Sequence, residues 1–245
     1  MSNRNTYYQL VLTILFLVQL GACKNASAQF YSGCSLGLVR NEITDSHTAY
    51  QYNAYQKSAG ISTSLKFGYA LKNKLYIETG LAFLTKSYGI SRDDFFQGTS
   101  FHFVNSYIQL PLIFGIEVLH YNKIKLMARA GGYSAYWIYS KTRSTVPNIL
   151  VPKDISDDES YNNIFQIVGK QEINESRPFQ RIDRRIQLGI ILGAEICYRL
   201  SKKNTIFFEP EFQRSLTGIE KRYQESQSIK KNQAVIFSIG LNHSL

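Results

Sequence analysis

The sequence predicts an all-β fold, an eight-stranded antiparallel up-and-down transmembrane β-barrel with long extracellular loops. Three observations lead there. Segment after segment is apolar at every second residue, tight polar turns alternate with long polar loops, and the chain opens with the build of a cleavable export signal. A period of two means a strand with one apolar face and one polar or small face. Residues 61–71 show it most cleanly: Ile61, Thr63, Leu65, Phe67, Tyr69 and Leu71 share one face, and Ser62, Ser64, Lys66, Gly68 and Ala70 the other.

The N-terminal segment predicts a signal peptide over 1–28, leaving one barrel domain over 29–245. Arg4 supplies the positive start, Leu10 to Leu20 the apolar run, and Ala26-Ser27-Ala28 the small residues of a cleavage site. The run is shorter than the ~20 apolar residues of a spanning helix. A competing reading takes Leu20-Gly21-Ala22-Cys23 as a lipoprotein signal lipidated at Cys23. Either way the chain leaves the cytoplasm.

Strands are expected over 30–40, 60–71, 74–89, 102–118, 123–140, 184–200, 204–217 and 233–243. Leu71-Lys72-Asn73-Lys74, His120-Tyr121-Asn122-Lys123 and Ser201-Lys202-Lys203-Asn204 read as hairpin turns, and 41–59, 90–101, 141–183 and 218–232 as long connectors. Short periplasmic turns and longer extracellular loops are the pattern of outer-membrane barrels, and an even strand number puts both termini in the periplasm. In the fourth strand Val104, Ser106, Ile108, Leu110, Leu112, Phe114, Ile116 and Val118 are expected to face lipid, and Asn105, Tyr107, Gln109 and Glu117 the interior. In the sixth, Ile186 to Ile196 oppose Arg185, Gln187, Glu195 and Arg199; in the eighth, Val235, Phe237, Ile239 and Leu241 oppose Ser238, Gly240 and Asn242. Gly68, Gly80, Gly115, Gly131, Gly189, Gly193 and Gly240 fall on the inward set, where a narrow barrel needs small residues. Pro111 removes a ladder hydrogen bond and predicts a bulge. In the 141–183 extracellular loop, Ile149-Leu150-Val151 and Ile164-Phe165 predict a short helix or hairpin packed over the barrel mouth.

The formal charge of +10 falls by two, to +8, when Arg4 and Lys24 leave with the signal. At the cell surface this charge points to outer-membrane lipid and lipopolysaccharide as partners rather than nucleic acid, while the basic residues are scattered and form no cluster that favours either. Cys34 and Cys197 remain, in a compartment that permits disulfides, but parity puts them on opposite faces and predicts none.

Gln29-Phe30 directly after the cleavage site, YIQLPLIFGIEV (107–118), LMARAGGYSAYWI (126–138), QLGIILGAEICYRL (187–200), FFEPEFQRSLTGI (207–219) and VIFSIGLNHSL (235–245) together resemble the PorT-like outer-membrane β-barrel family common in Bacteroidetes. The chain departs from it in the long 141–183 loop and in ending on Leu245 where barrels often end in Phe or Tyr. The resemblance implies an outer-membrane barrel, and permits a secretion-system accessory.

The candidate residues are the inward charges: Lys66, Glu78, Lys86, Glu117, Lys125, Arg129, Arg185, Glu195, Arg199, Glu209 and Glu211. Paired carboxylates such as Glu209 and Glu211 suit acid/base work. The expected reading is structural, a salt-bridged plug, because a small barrel holds side chains and buried charges need partners. His47, His102, His120 and His243 have no metal-ligand spacing, so neither metal nor cofactor is expected. His102, Ser106 and Glu117 fail as a triad, since Glu117 lies on the other face about fifteen residues along at ~3.4 Å each. Asp154, Asp157, Asp158 and Glu159 lack a calcium-loop pattern and read as a solvated tip. KRYQESQSIKK (221–231) reads as a surface loop within reach of lipopolysaccharide phosphates. The expected role is non-enzymatic, structural or surface-interacting, with a protein partner at the extracellular loops. A secretion accessory and a lipid-modifying enzyme are the alternatives.

Overall fold

The computed structural model describes residues 29–45, 53–71, 74–153, 161–221 and 229–245. Residues 1–28, where an export signal with Cys23 is expected, His47, Lys72-Asn73, the acidic cluster at 154–159 and 222–228 lie outside the described residues.

Among the described residues nine strands follow in chain order: β1 (Gln29–Asp45), β2 (Asn53–Ala70), β3 (Leu75–Arg92), β4 (Ser100–Tyr121), β5 (Ile124–Pro152), β6 (Val168–Ser176), β7 (Ile186–Arg199), β8 (Asn204–Ser215) and β9 (Lys230–Ser244). A short helix, α1 (Ile164–Ile167), precedes β6. Eight strands close a ring in the order β4-β3-β2-β1-β9-β8-β7-β5, and β4 pairing with β5 completes it. The two ends of the chain meet in the wall, where β1 pairs antiparallel with β9 from Tyr31↔Ser244 to Asp45↔Lys230. A closed ring leaves no backbone edge to hydrocarbon, which makes it one of the two folds able to span a membrane.

The period of two has its expected consequence. Leu36, Leu38, Ile61, Leu65, Phe67, Leu112, Phe114, Ile186, Leu188, Phe237 and Ile239 stand exposed on the outer wall, while the interior positions between them are largely buried within the ring. Three inward glycines are explained by rings in the neighbouring strand. Tyr31 lies across Gly68, Tyr133 across Gly189 and Phe207 across Gly240, each pair directly opposite in register. A Cβ at any of the three would fall into the facing ring.

The structure corrects several expectations. No register shift occurs at Pro111; Thr79↔Leu112 and Ala82↔Gln109 keep one register across it. The missing N–H opens a gap on the β3 side only, and the Thr79 hydroxyl donates to the Pro111 carbonyl at 2.9 Å. Register shifts lie elsewhere, among them one between Lys57 and Ser62 on β2 and two in the β4–β5 ladder. Ile138 is the extra residue opposite Ser106–Tyr107, and Val118 the extra residue opposite Leu126–Met127. Beside the first of these, Ser106 is buried rather than open to lipid. Strands also run further than the turn residues suggested at the long-loop end, because β1, β2 and β5 continue beyond the apolar belt.

Much of the described part of 141–183 is strand rather than loop. β5 extends to Pro152 and pairs β6 from Lys141↔Ser176 to Asn148↔Gly169, so it lengthens the wall. Ile149, Leu150 and Val151 do not cover the mouth; they are 77%, 85% and 53% exposed at the tip of this hairpin. The mouth is covered by the return segment after β6, where Phe179 meets Trp137 edge-on at 5.1 Å.

Candidate functional site

Two interior layers and one outer platform carry the side chains of interest. The first layer is ionic and sits toward the short-turn end. Arg129 on β5 reaches Glu78 on β3, Glu209 on β8 and Glu195 on β7, the last at 3.6 Å. Lys66 on β2 reaches Glu209 and also Glu195 at 3.3 Å. Tyr31 donates to Glu78, and the Cys197 thiol donates to Glu195 at 3.0 Å. The strands bring these groups together because each charge occupies an inward position, and a ring of eight places facing walls within side-chain reach. Lys66 also lies 4.0 Å over the Phe207 ring. Next to this layer a cavity of about 50 Å³ is lined by Ser35, Ser64, Gln109, Glu211 and Ser238 among others. Glu211 accepts from Gln213 at 2.6 Å, and Lys86 donates to Gln213 at 3.0 Å and sits 4.7 Å over Tyr133.

The second layer lies toward the long-loop end and is apolar and amide-rich. Val39, Leu84, Tyr88, Tyr107, Trp137, Ile219 and Ile236 belong to one buried cluster. Trp137 stacks on Tyr107 at 6.0 Å and donates from Nε1 to the Tyr139 carbonyl at 2.9 Å. Its amides are linked in a chain: Asn232 donates to Gln187 at 3.1 Å, Gln187 to Tyr107 at 3.2 Å, and Asn41 to Asn232 at 3.2 Å. The interior is therefore a filled core with no open conduit among the described residues.

The sequence-derived charges divide into three groups. Lys66, Glu78, Lys86, Arg129, Glu195, Glu209 and Glu211 are buried in the interior. Glu117 and Lys125 form a separate pair at the short-turn end, 3.4 Å apart, where Tyr76 donates to Glu117 at 3.0 Å and His120 lies 3.4 Å from it. Arg185 and Arg199 stand apart from the plug. Arg185 sits at the long-loop rim, stacked 4.3 Å over Phe179 and bonded to the Trp137 carbonyl, and Arg199 is exposed at the short-turn rim. Both are at strand ends, where the inward direction opens to solvent. Cys34 faces outward and Cys197 inward. His102 and Glu117 lie near opposite ends of β4, and no serine hydroxyl or carboxylate hydrogen-bonds His102 among the described residues.

Of the outer platform, the sequence showed the apolar pieces Ile149-Leu150-Val151 and Ile164-Phe165 but not the contacts that hold it. The β3–β4 loop is pinned by Arg92 to Asp94, whose carboxyl that hydrogen bond holds below its usual range, and Asp94 accepts from the Phe96 N–H at 3.0 Å. α1 docks on this loop: the Ile164 N–H donates to the Phe95 carbonyl at 2.9 Å and Asn163 to the Gln97 carbonyl at 2.7 Å. Buried Phe165 packs against Gly98, whose φ of +96° an L side chain rarely adopts. Phe95 and Phe96, each 41% exposed, join Ile149, Leu150 and Val151 as open apolar side chains on the long-loop platform. Phe165 and Phe179 gave no periodic signal because neither lies on a strand; Trp137 was available by parity, being inward with Arg129 and Tyr133.

Among solved structures, the chain is similar to the outer membrane protease OmpT of Escherichia coli, at 10% identity over 91% of this chain and 99% of that one, with a TM-score of 0.52. It is also similar to a major outer membrane protein of Thermus thermophilus (11% identity, 90% of this chain, 100% of that one, TM-score 0.46) and to Neisserial surface protein A (12%, 89%, 99%, 0.40). At these identities the likeness is one of fold. No curated protein matches the chain in sequence. The model of the outer membrane protein beta-barrel domain matches residues 19–221, most of the chain. With the closed ring, the lipid-facing belt and the packed interior, the chain thus belongs to the outer membrane protein beta-barrel domain family, whose place is the bacterial outer membrane.

Proposed function

We propose that this protein is a non-enzymatic surface-interaction barrel of the PorT-like kind. Its long-loop end is extracellular, its termini are periplasmic, and a protein partner meets the long-loop platform. The observation that carries this reading is one-sided elaboration. The ring ends in short turns at one end, whereas at the other the β5–β6 hairpin extends the wall and presents Ile149, Leu150 and Val151 to solvent. Exposed apolar side chains grouped on a pinned platform mark a contact surface. The outer belt meets lipid, and the basic residues of the rims suit anionic headgroups and lipopolysaccharide. The interior carboxylates Glu78, Glu195 and Glu209 are tied to Arg129 and Lys66, which supports a structural role for them.

The test is deletion of 146–178. The shortened protein should keep a boiling-dependent mobility shift on a gel, the mark of a folded barrel. It should lose the adducts that a photo-crosslinker at Phe96, exposed on the same platform and retained in both chains, forms with the full chain in intact cells. Collapse of the barrel would make the hairpin structural and end this reading. Loss of secreted cargo in cells lacking the gene would favour the secretion accessory, and an altered set of lipid A species the enzyme.

A further inference from the structure

The short-turn end of the ring opens into a recess of about 320 Å³, with Glu195, Cys197, Met127 and Asn242 among its lining residues. Its rim is unusually basic. Lys123, Lys125, Arg199 and Lys202 all line it. Of these, Lys125 has a carboxylate partner, Glu117 at 3.4 Å. Lys123, Arg199 and Lys202 have none within ion-pair distance among the described residues.

Their placement follows from register. Arg199 donates its backbone N–H to the Lys123 carbonyl at 2.8 Å and pairs across the next gap with Thr205, which in turn pairs with Asn242. Lys123, at the end of the β4–β5 turn, and Arg199, Thr205 and Asn242, on three neighbouring strands, therefore form one row. All have inward parity, continuing the sets that hold Lys125 and Met127, Glu195 and Cys197, and Phe207 and Glu209. Lys202 adds its charge from the adjoining β7–β8 turn. The nearest acid deeper in the recess, Glu195, is already matched by Lys66 and Arg129. Unpaired cations converging on a walled recess focus positive potential there, because field lines crowd between low-dielectric walls.

We propose that this short-turn recess binds a phosphate-bearing anion, with Lys123, Arg199 and Lys202 as its charge partners and Thr205 as a hydroxyl donor. Three unmatched cations suit a multiply charged group better than a single carboxylate, and a guanidinium offers it paired N–H donors. The phosphate has two sources to draw on. The outer-wall residues at the same level, Ile124, Ile196 and Ile206, belong to the exposed apolar belt, so headgroups of the surrounding leaflet lie alongside the rim. Soluble phosphates reach the recess directly through its open mouth.

The experiment is calorimetric titration of inorganic pyrophosphate into the full, folded barrel in a neutral detergent and phosphate-free buffer. It is repeated with the barrel in vesicles of phosphatidylcholine alone or with phosphatidylglycerol. Three proteins are compared: the native chain, K123Q/R199Q/K202Q, and the control K74Q/K203Q, whose changes lie near the same end but outside the recess lining. Saturable binding by the native chain and the control, weakened at least about tenfold in the triple variant, supports the site with a soluble source. No pyrophosphate binding, but stabilisation by phosphatidylglycerol that the triple variant alone loses, supports it with a lipid source. Binding that survives in the triple variant, or falls equally in the control, or fails in every arm while all three keep their heat-modifiable mobility, overturns the proposal.

Discussion

The two ends of the barrel interior are built on different physics. Toward the short turns, Arg129 and Lys66 hold three carboxylates taken from three other strands. Toward the long loops, Trp137, Tyr107, Tyr88 and Leu84 fill the same cross-section with packed rings and aliphatic groups, and three amides bond to one another. Packing energy is graded, so a core loses stability in proportion to what is removed. An ionic core is all-or-none, because losing one partner strands the others without solvent. The ionic half therefore fixes which strands face one another, and the apolar half tolerates repacking.

The sharpest way to break that contrast is Arg129→Met. It leaves Glu78 and Glu209 buried with an ion partner gone and should cost on the order of 3–5 kcal/mol. The readout is urea unfolding of the barrel in lipid vesicles, followed by loss of heat-modifiable mobility. Adding Glu78→Gln and Glu209→Gln to the same chain should return most of the loss, since the stranded charges are then gone. A single variant as stable as the native chain would show that the ionic layer is solvated and the contrast false. Trp137→Ala comes next, at about 3 kcal/mol, with Trp137→Phe recovering much of it because the stack on Tyr107 survives in part. Trp137 is the chain's one tryptophan, so its fluorescence reports the long-loop half alone. It should unfold in the same transition as the mobility shift; two separated transitions would make the halves independent units.

The ionic half was the more legible in the sequence, and for a physical reason. In an alternating strand a charge at an inward position stands out against the polar and small residues around it, so Lys66, Glu78, Arg129, Glu195, Glu209 and Glu211 could be picked by parity. The same rule overreached at strand ends, where Arg185 and Arg199 share that parity but meet solvent. Parity cannot say how far along the barrel axis a residue lies. The apolar half was harder to see, since inward Trp137 and Leu84 blur the alternation that marks outward residues as lipid-facing. The bulges at Ile138 and Val118 carry no distinctive residue, and Pro111, which does, keeps the register. Phe179 and Gly98 act through loops and Phe165 through the four-residue α1, too short for a period to read.

Two glycine variants sharpen the packing side of the contrast at smaller cost. Gly240→Ala drives a methyl against the Cys34 carbonyl oxygen and the Phe207 ring beneath the ionic layer, and should lose about 1–3 kcal/mol in the same unfolding assay. Gly115→Ala is its control. The nearest atoms to a Cβ there lie at 3.6 Å or more, ordinary contact, so stability should move by no more than ~0.5 kcal/mol. Equal losses at both positions would mean that strand propensity, not the close contacts at Gly240, sets the need for glycine.

The smallest effect on the barrel is expected from Gly98→Ala, and it separates the platform from the ring. At φ +96° an alanine is strained, and its Cβ would meet the Phe165 ring at 3.0 Å. The strain is on the order of 1–3 kcal/mol, but it falls on the contact between the β3–β4 loop and α1. None of the ring's ladder pairs or ion pairs involves Gly98. Local opening free energies need not track the global one. The variant should thus unfold at the native urea midpoint while protease cleavage near α1 rises several-fold at zero urea. A shift of the global midpoint by the full strain would mean that the platform and the barrel fold as one cooperative unit, and that the contact surface cannot move without the wall beneath it.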